Sequence, residues 1–353
     1  FNIDYFRLLW YTIIYAEENM GKSKKKIHDA RSQKIGRKKK KKRTGYKYLK
    51  QAKFQPKIDM EKCVREAPEE FSFITNLEET VKYFSVTINE LKHGGFKKHF
   101  MLDSSKVTFV TTDVIMYLIA LMKNVRANKM KQYTFIGNYP KDVAAKKIYE
   151  ESGIHNFVKS KSKRLPPNTE KVQIISGNNN STEDARKMCE FVMQKLSVDR
   201  IYTQQLYSLL LEMMSNVYFH AYTNDELMKP VWYMYAEYTN NCVRFIFVDT
   251  GMSIARTVRR NSIYEKVVKK LNIDNDSKLI KSAFDGAFRT STDMPNRGRG
   301  LPSFKEFAKS DKCKDFRVIS GSGFCKMSDN KQYFEKTELN NKIYGTIYIF
   351  TFM

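Results

Sequence analysis

Phe245-Ile246-Phe247-Val248-Asp249-Thr250-Gly251-Met252-Ser253-Ile254 is the stretch on which the fold turns. A short apolar run of β-branched and aromatic residues reads as a buried strand. It ends in an acid, and a glycine follows two positions later. A carboxylate at the end of a buried strand can accept a hydrogen bond from an exocyclic amine, while Gly251 lets the backbone come close to a flat base. An aspartate there is also a common helix N-cap, so this stretch alone leaves two readings open.

Working outward, Trp232 to Tyr238 and Cys242 to Val248 alternate like paired strands, with Asn240-Asn241 as the hairpin turn. Apolar positions at helical spacing predict helices over Thr182 to Leu196 and Thr203 to Asn216. Glu212, Asn216 and His220 are spaced four apart and share one face of a helix that is otherwise Leu209, Leu210, Met213, Met214 and Val217. Polar groups on so apolar a helix need partners, which a bound metal–phosphate would supply and bulk water would supply equally on a solvated face. Downstream, Asn296-Arg297-Gly298-Arg299-Gly300-Leu301-Pro302 offers backbone N–H groups and two arginines to a phosphate. Phe316 to Ser320 and Ile343 to Phe352 read as closing strands, the latter entered through Gly345-Thr346.

Taken in order, these four motifs resemble the conserved boxes of the GHKL ATP-binding fold (histidine kinase, gyrase and MutL type): ExxxN on a helix, DxG after a strand, GxGL before a helix, and GT entering the last strand. The resemblance covers roughly 180–353, with a variable lid of about 45 residues between Gly251 and Gly298. It implies an α/β sandwich with helices packed on a mixed sheet. It implies that Asn216 ligates Mg²⁺, that Asp249 binds the adenine amine of ATP, and that Gly251 packs under the base. Arg297, Gly298, Arg299, Gly300 and Leu301 would border the phosphates, and Thr346 would join the network around adenine. Glu212 matches the general base of the hydrolytic branches. Ser253 departs from the pattern, because the family carries a second glycine there. A serine still suits a helix start beside the nucleotide.

The region 81–158 carries a second α/β pattern. His99 to Leu102, Val107 to Val110 and Tyr133 to Ile136 have strand character. Asp113 to Asn124 places Val114, Tyr117, Leu118 and Leu121 at helical spacing, and Lys141 to Glu151 reads as a helix closed near Gly153. Leu102 to Val110 followed by Thr111-Thr112-Asp113 resembles the STAS domain of anti-sigma-factor antagonists, with Asp113 at the serine that partner kinases phosphorylate. A small α/β binding module explains the same pattern. Residues 57–80 are weakly patterned, and 159–179, with Pro166-Pro167 and many charges, reads as a linker.

Of 353 residues, 42% are apolar, enough to fill real cores, yet the net charge is +25. Sixteen Lys or Arg lie between Met20 and Lys53 against one acid, Asp29. A block such as Arg37 to Arg43 has nothing to bury, so 1–56 is expected to be a disordered basic tail. That tail either binds nucleic acid or another polyanion by counterion release or is only a solvated arm. Residues 1–19 read as upstream translation ahead of Met20. The apolar run Phe6 to Tyr15 is too short to span a bilayer. Five dispersed cysteines without a CxxC pair argue against a zinc site and fit a reduced cytoplasm. No P-loop GxxxxGK[ST] occurs.

The expectation is therefore a cytoplasmic ATP-binding regulatory protein that uses Mg²⁺, either an ATPase or a serine kinase like those acting on anti-sigma-factor antagonists. The alternative is a non-catalytic, ATP-gated binding module acting on a protein or nucleic-acid partner. A homodimer is compatible with both, and no membrane is involved in either.

Overall fold

A computed structural model describes residues 8–9, 61–93, 98–127, 134–158, 168–220, 231–288 and 300–353. The first unit runs β1 (Leu8–Leu9), β2 (Glu61–Glu66), β3 (Glu70–Phe71), α1 (Leu77–His93), β4 (Lys98–Asp103), β5 (Phe109–Val110), α2 (Thr112–Ala127), β6 (Thr134–Gly137) and α3 (Val143–Glu151). Its sheet has the order β1-β6-β4-β2, with β2, β4 and β6 parallel and β1 antiparallel to β6. Beyond the two residues of β1, the unit reaches back to Glu61 and does not begin near 81. Strand β2 is too charged to signal a core strand. The strand expected over Val107 to Val110 shrinks to β5, which pairs with β3 outside the main sheet. Leu8–Leu9 takes the free edge of β6, which corrects the expectation of disorder at these two residues, since an edge offers unpaired backbone groups. The rest of 1–56 lies outside the described residues.

The second unit runs β7 (Lys171–Gly177), α4 (Thr182–Leu196), α5 (Arg200–His220), β8 (Trp232–Thr239), β9 (Cys242–Asp249), α6 (Ile254–Val258), α7 (Tyr264–Leu271), α8 (Asp276–Phe284), α9 (Gly300–Lys309), β10 (Cys313–Ser320), β11 (Gly323–Met327), β12 (Phe334–Glu338) and β13 (Thr346–Phe352). The sheet order is β12-β11-β10-β13-β9-β8-β7, so the last strand sits in the middle. Every pairing is antiparallel, which corrects the expected mixed sheet. The physical reason lies in the connections: tight turns join β8 to β9 and β10 to β11, and the helix pair α4–α5 returns the chain to the end of the sheet it left. Lys171–Gly177, expected as linker, is instead an edge strand of this sheet.

Side-chain alternation gives the sheet two buried faces. Val243, Phe245 and Phe247 of β9, with Tyr348, Phe350 and Phe352 of β13, pack against α4, α5, α6, α8 and α9. Ile246 and Val248 of β9, with Ile347 and Ile349 of β13, share a core with the first unit. Helix α2 covers that second face. From Val114 to Met122 its residues are at most 4% exposed, as a helix apolar on all sides must be. Polar ties fix the docking: Arg317 donates to the Ile74 carbonyl at 3.0 Å, and Lys171 meets Glu151 at 2.7 Å.

Candidate functional site

The site lies where strand ends and helix starts converge. Asp249 closes β9 and stands opposite Thr346, the first residue of β13. The residue is 4% exposed and its carboxyl accepts the Gly251 N–H at 2.8 Å, while the Thr346 backbone N–H lies near enough to favour its ionised form. Burial pushes this acid up to about 7, and the two N–H donors only partly oppose that. Gly345, at φ 72°, allows the close approach: a Cβ there would lie 2.5 Å from the Thr250 Cα. The DxG turn and the GT turn therefore fit together only with glycine at 345.

Ser320, at the end of β10, ties these pieces. Its fully buried hydroxyl accepts the Ile254 N–H at 2.8 Å and donates to the Gly345 carbonyl at 3.0 Å, and it lies 2.9 Å from Thr346 Oγ1. Nothing in the sequence pattern singled out Ser320, because its role exists only once β10, β13 and α6 meet. Ser253 caps α6, its hydroxyl accepting the Arg256 N–H at 3.3 Å. The residue that departs from the expected glycine thus has a helix-start role.

Glu212 and Asn216 come from α5. Gly300, at the start of α9, sits against both: a Cβ on it would run into the Glu212 carboxylate and lie 3.4 Å from Asn216 Oδ1. Burial raises the Glu212 carboxyl above the usual range. The Asn216 Nδ2 is buried with no hydrogen-bond partner. Leaving such a group unmet costs about 1–3 kcal/mol, and a ligand oxygen would remove that cost. The side-chain oxygen and nitrogen can exchange places by a flip.

One pocket collects these positions. Met213, Val217, Met252, Ile254, Val258, Leu301 and Tyr348 form its apolar wall, and Asn216, Asp249, Thr257 and Thr346 supply its polar groups. Four separated sequence motifs are thus represented on or beside one cavity. Arg297, Gly298, Arg299 and the His220 side chain lie outside the described residues. Met252, Thr257, Val258 and Tyr348 were not foreseen; Met252 and Tyr348 sit within quoted motifs, but only the fold shows that they face the cavity.

Elsewhere, Asp113 is fully buried and accepts the Phe73 N–H at 3.0 Å. Its carboxyl is raised by burial. Its side chain is thus enclosed by the core and is not displayed on the surface. Burial pushes the Cys189 thiol up to about 11 and the Cys325 thiol up to about 12, which suits structural and not nucleophilic cysteines. Among the described residues no group of His, Cys, Asp and Glu could hold a metal by protein ligands alone. No helix among them is long and apolar enough to cross a membrane.

No protein-family model matches the chain, and no curated protein matches it.

Proposed function

We propose that the second unit is an ATP-binding domain of the GHKL type and that the chain is an ATP-dependent regulator working as an ATPase or a Ser/Thr protein kinase. The observation that carries this reading is the convergence of Asn216, Asp249, Leu301 and Thr346, from four separate motifs, on one largely apolar pocket. An apolar slot with a few convergent polar groups is the ordinary form of a small-molecule site. Ionised Asp249 would accept the exocyclic amine of adenine between the side chains of Met252, Ile254, Val258 and Tyr348. Asn216 would give its side-chain oxygen to Mg²⁺, which neutralises phosphate charge when bound and takes most of its other ligands from phosphates and water. Glu212, one helical turn away and raised by burial, is suited to take a proton from water or a substrate hydroxyl. The first unit, with its resemblance to STAS antagonists, would be the regulatory partner carried in the same chain.

The test is the melting of the full chain with and without saturating Mg-ATP. At a hundredfold excess over the dissociation constant, binding stabilises by about 2.7 kcal/mol. The expected result is a clear upward shift with ATP. A folded chain whose melting ignores Mg-ATP overturns the reading. Phosphate release and phosphotransfer then separate an enzyme from a binder that holds ATP without turnover.

A further inference from the structure

Tyr117 ties the first unit to the segment that leads into the pocket. Tyr117 projects from the middle of α2 and is 0% exposed. Its hydroxyl accepts the Tyr344 N–H at 2.8 Å and donates to the Tyr344 carbonyl at 3.1 Å. One phenol thus saturates both backbone groups of one residue in the other unit. That residue immediately precedes Gly345-Thr346, whose contacts with Asp249 shape the pocket. The Tyr117 ring is itself fixed by edge contacts to Phe84 at 4.7 Å and Phe73 at 5.6 Å, both inside the first unit's core. From within the sheet, Ser320 holds the Gly345 carbonyl. The turn that carries Thr346 is therefore gripped on one side by its own sheet and on the other by α2. Burial and the nearby Asp249 charge both keep the Tyr117 phenol protonated, the form that can donate and accept at once.

We propose that Tyr117 is a positioning residue, through which the docking of the first unit sets the geometry of the Asp249–Thr346 pocket and hence its affinity and base selectivity. The proposal rests on the reading of that pocket as a nucleotide site. Loss of the hydroxyl removes two hydrogen bonds from the Tyr344 backbone, lets the 344–346 turn shift, and loosens the Thr346 N–H from Asp249. By linkage the effect runs both ways, so a ligand on Asp249 tightens the grip on Tyr344.

The experiment compares wild type, Tyr117→Phe and Tyr235→Phe as full chains, each checked for folding by circular dichroism. Tyr235 is the control: it is equally buried against the first unit, but its hydroxyl goes to Glu237 at 2.9 Å, away from the pocket. Two readouts are taken, the dissociation constants for ATP and GTP and the hydrogen exchange of the Gly251 and Thr346 amides without ligand. The expected result for Tyr117→Phe is at least about a fivefold loss of ATP affinity, the low end of measured couplings, with a narrowed ATP-to-GTP ratio and faster exchange at both amides. Tyr235→Phe should leave all of these unchanged even where it lowers the melting temperature. Equal ATP affinity and selectivity in wild type and Tyr117→Phe overturn the proposal, whatever the exchange shows. If no variant binds ATP but exchange still quickens only in Tyr117→Phe, the positioning stands and the nucleotide reading falls. Should Tyr117→Phe fail to fold, 3-fluorotyrosine at 117 keeps the question open to measurement. Its ¹⁹F resonance should move on ATP saturation, and a resonance that ignores ATP while ATP shifts melting overturns the proposal.

Discussion

Asp249, buried, and Glu212, half-buried, are two acids to which the reading gives different work, and each carries its own prediction. Burial pushes the Asp249 carboxyl of the folded chain up to about 7 from an ordinary value of 3.8. Between those values the folded protein keeps a proton that the unfolded chain has released, so this group makes stability fall as pH rises through that window, and the full cost persists above it. A base amine needs the ionised form, so ATP affinity should rise roughly tenfold between pH 6 and pH 8, following the ionised fraction. Both trends should disappear in Asp249→Asn, read by melting and by binding across the same pH series. For Glu212, Glu212→Gln keeps size and hydrogen bonding but removes the base. Turnover should fall by about 10²–10⁴ while ATP binds as before. An unchanged rate of phosphate release would assign the proton transfer to another group. These two residues were legible because strand-end Asp-x-Gly and helical Glu-xxx-Asn are local patterns. Ser320 and Thr257 were not, since three elements must meet before either has a partner or a cavity to face.

At the scale of elements, the β8–β9 hairpin shows how far turn chemistry can be read. Asn240 and Asn241 both adopt positive φ, 51° and 56°, as a two-residue turn between right-twisted strands requires. Replacing Asn241 with Val places a β-branched side chain in the left-handed region, and the cost should be roughly 1–2 kcal/mol in urea titrations. A variant as stable as wild type would mean that the hairpin tolerates another turn geometry. Strong, two-sided patterns such as β9 and β13 announce themselves. β12 does not: only Phe334 of Phe334–Glu338 is buried, so an edge strand reads as a polar loop. β7 was hidden by the prolines and charges ahead of it. Helix α2 was found, but Val114, Tyr117, Leu118 and Leu121 describe one face only. The equally buried Ile115, Met116, Ile119 and Met122 carried the further message that a second surface covers this helix.

At the scale of the molecule, that second surface makes two expected domains into one body. Residues of both units share a continuous core around α2, Val248 and Ile347. The described chain should therefore melt in a single cooperative transition by calorimetry, with equal calorimetric and van't Hoff enthalpies. Two resolved transitions would show that the contact between the units contributes little. The second unit made alone, residues 168–353, would expose Tyr233, Tyr235, Ile246 and Ile349 to water as one apolar face. It should bind a hydrophobic dye and aggregate where the longer chain does not.

The place of β13 gives chain synthesis a fixed order of events. Because Thr346–Phe352 fills the gap between β9 and β10, a growing chain that has not yet produced these residues holds only two separate half-sheets. The first unit emerges earlier, but the face of α2 that the sheet covers stays bare until the second unit joins it. Asp249 then lacks both its Thr346 donor and the Gly345 turn against its backbone until almost the last described residue has been added. The pocket consequently cannot close in a growing chain that stops short of β13, because Thr346 and Tyr348 are part of its wall.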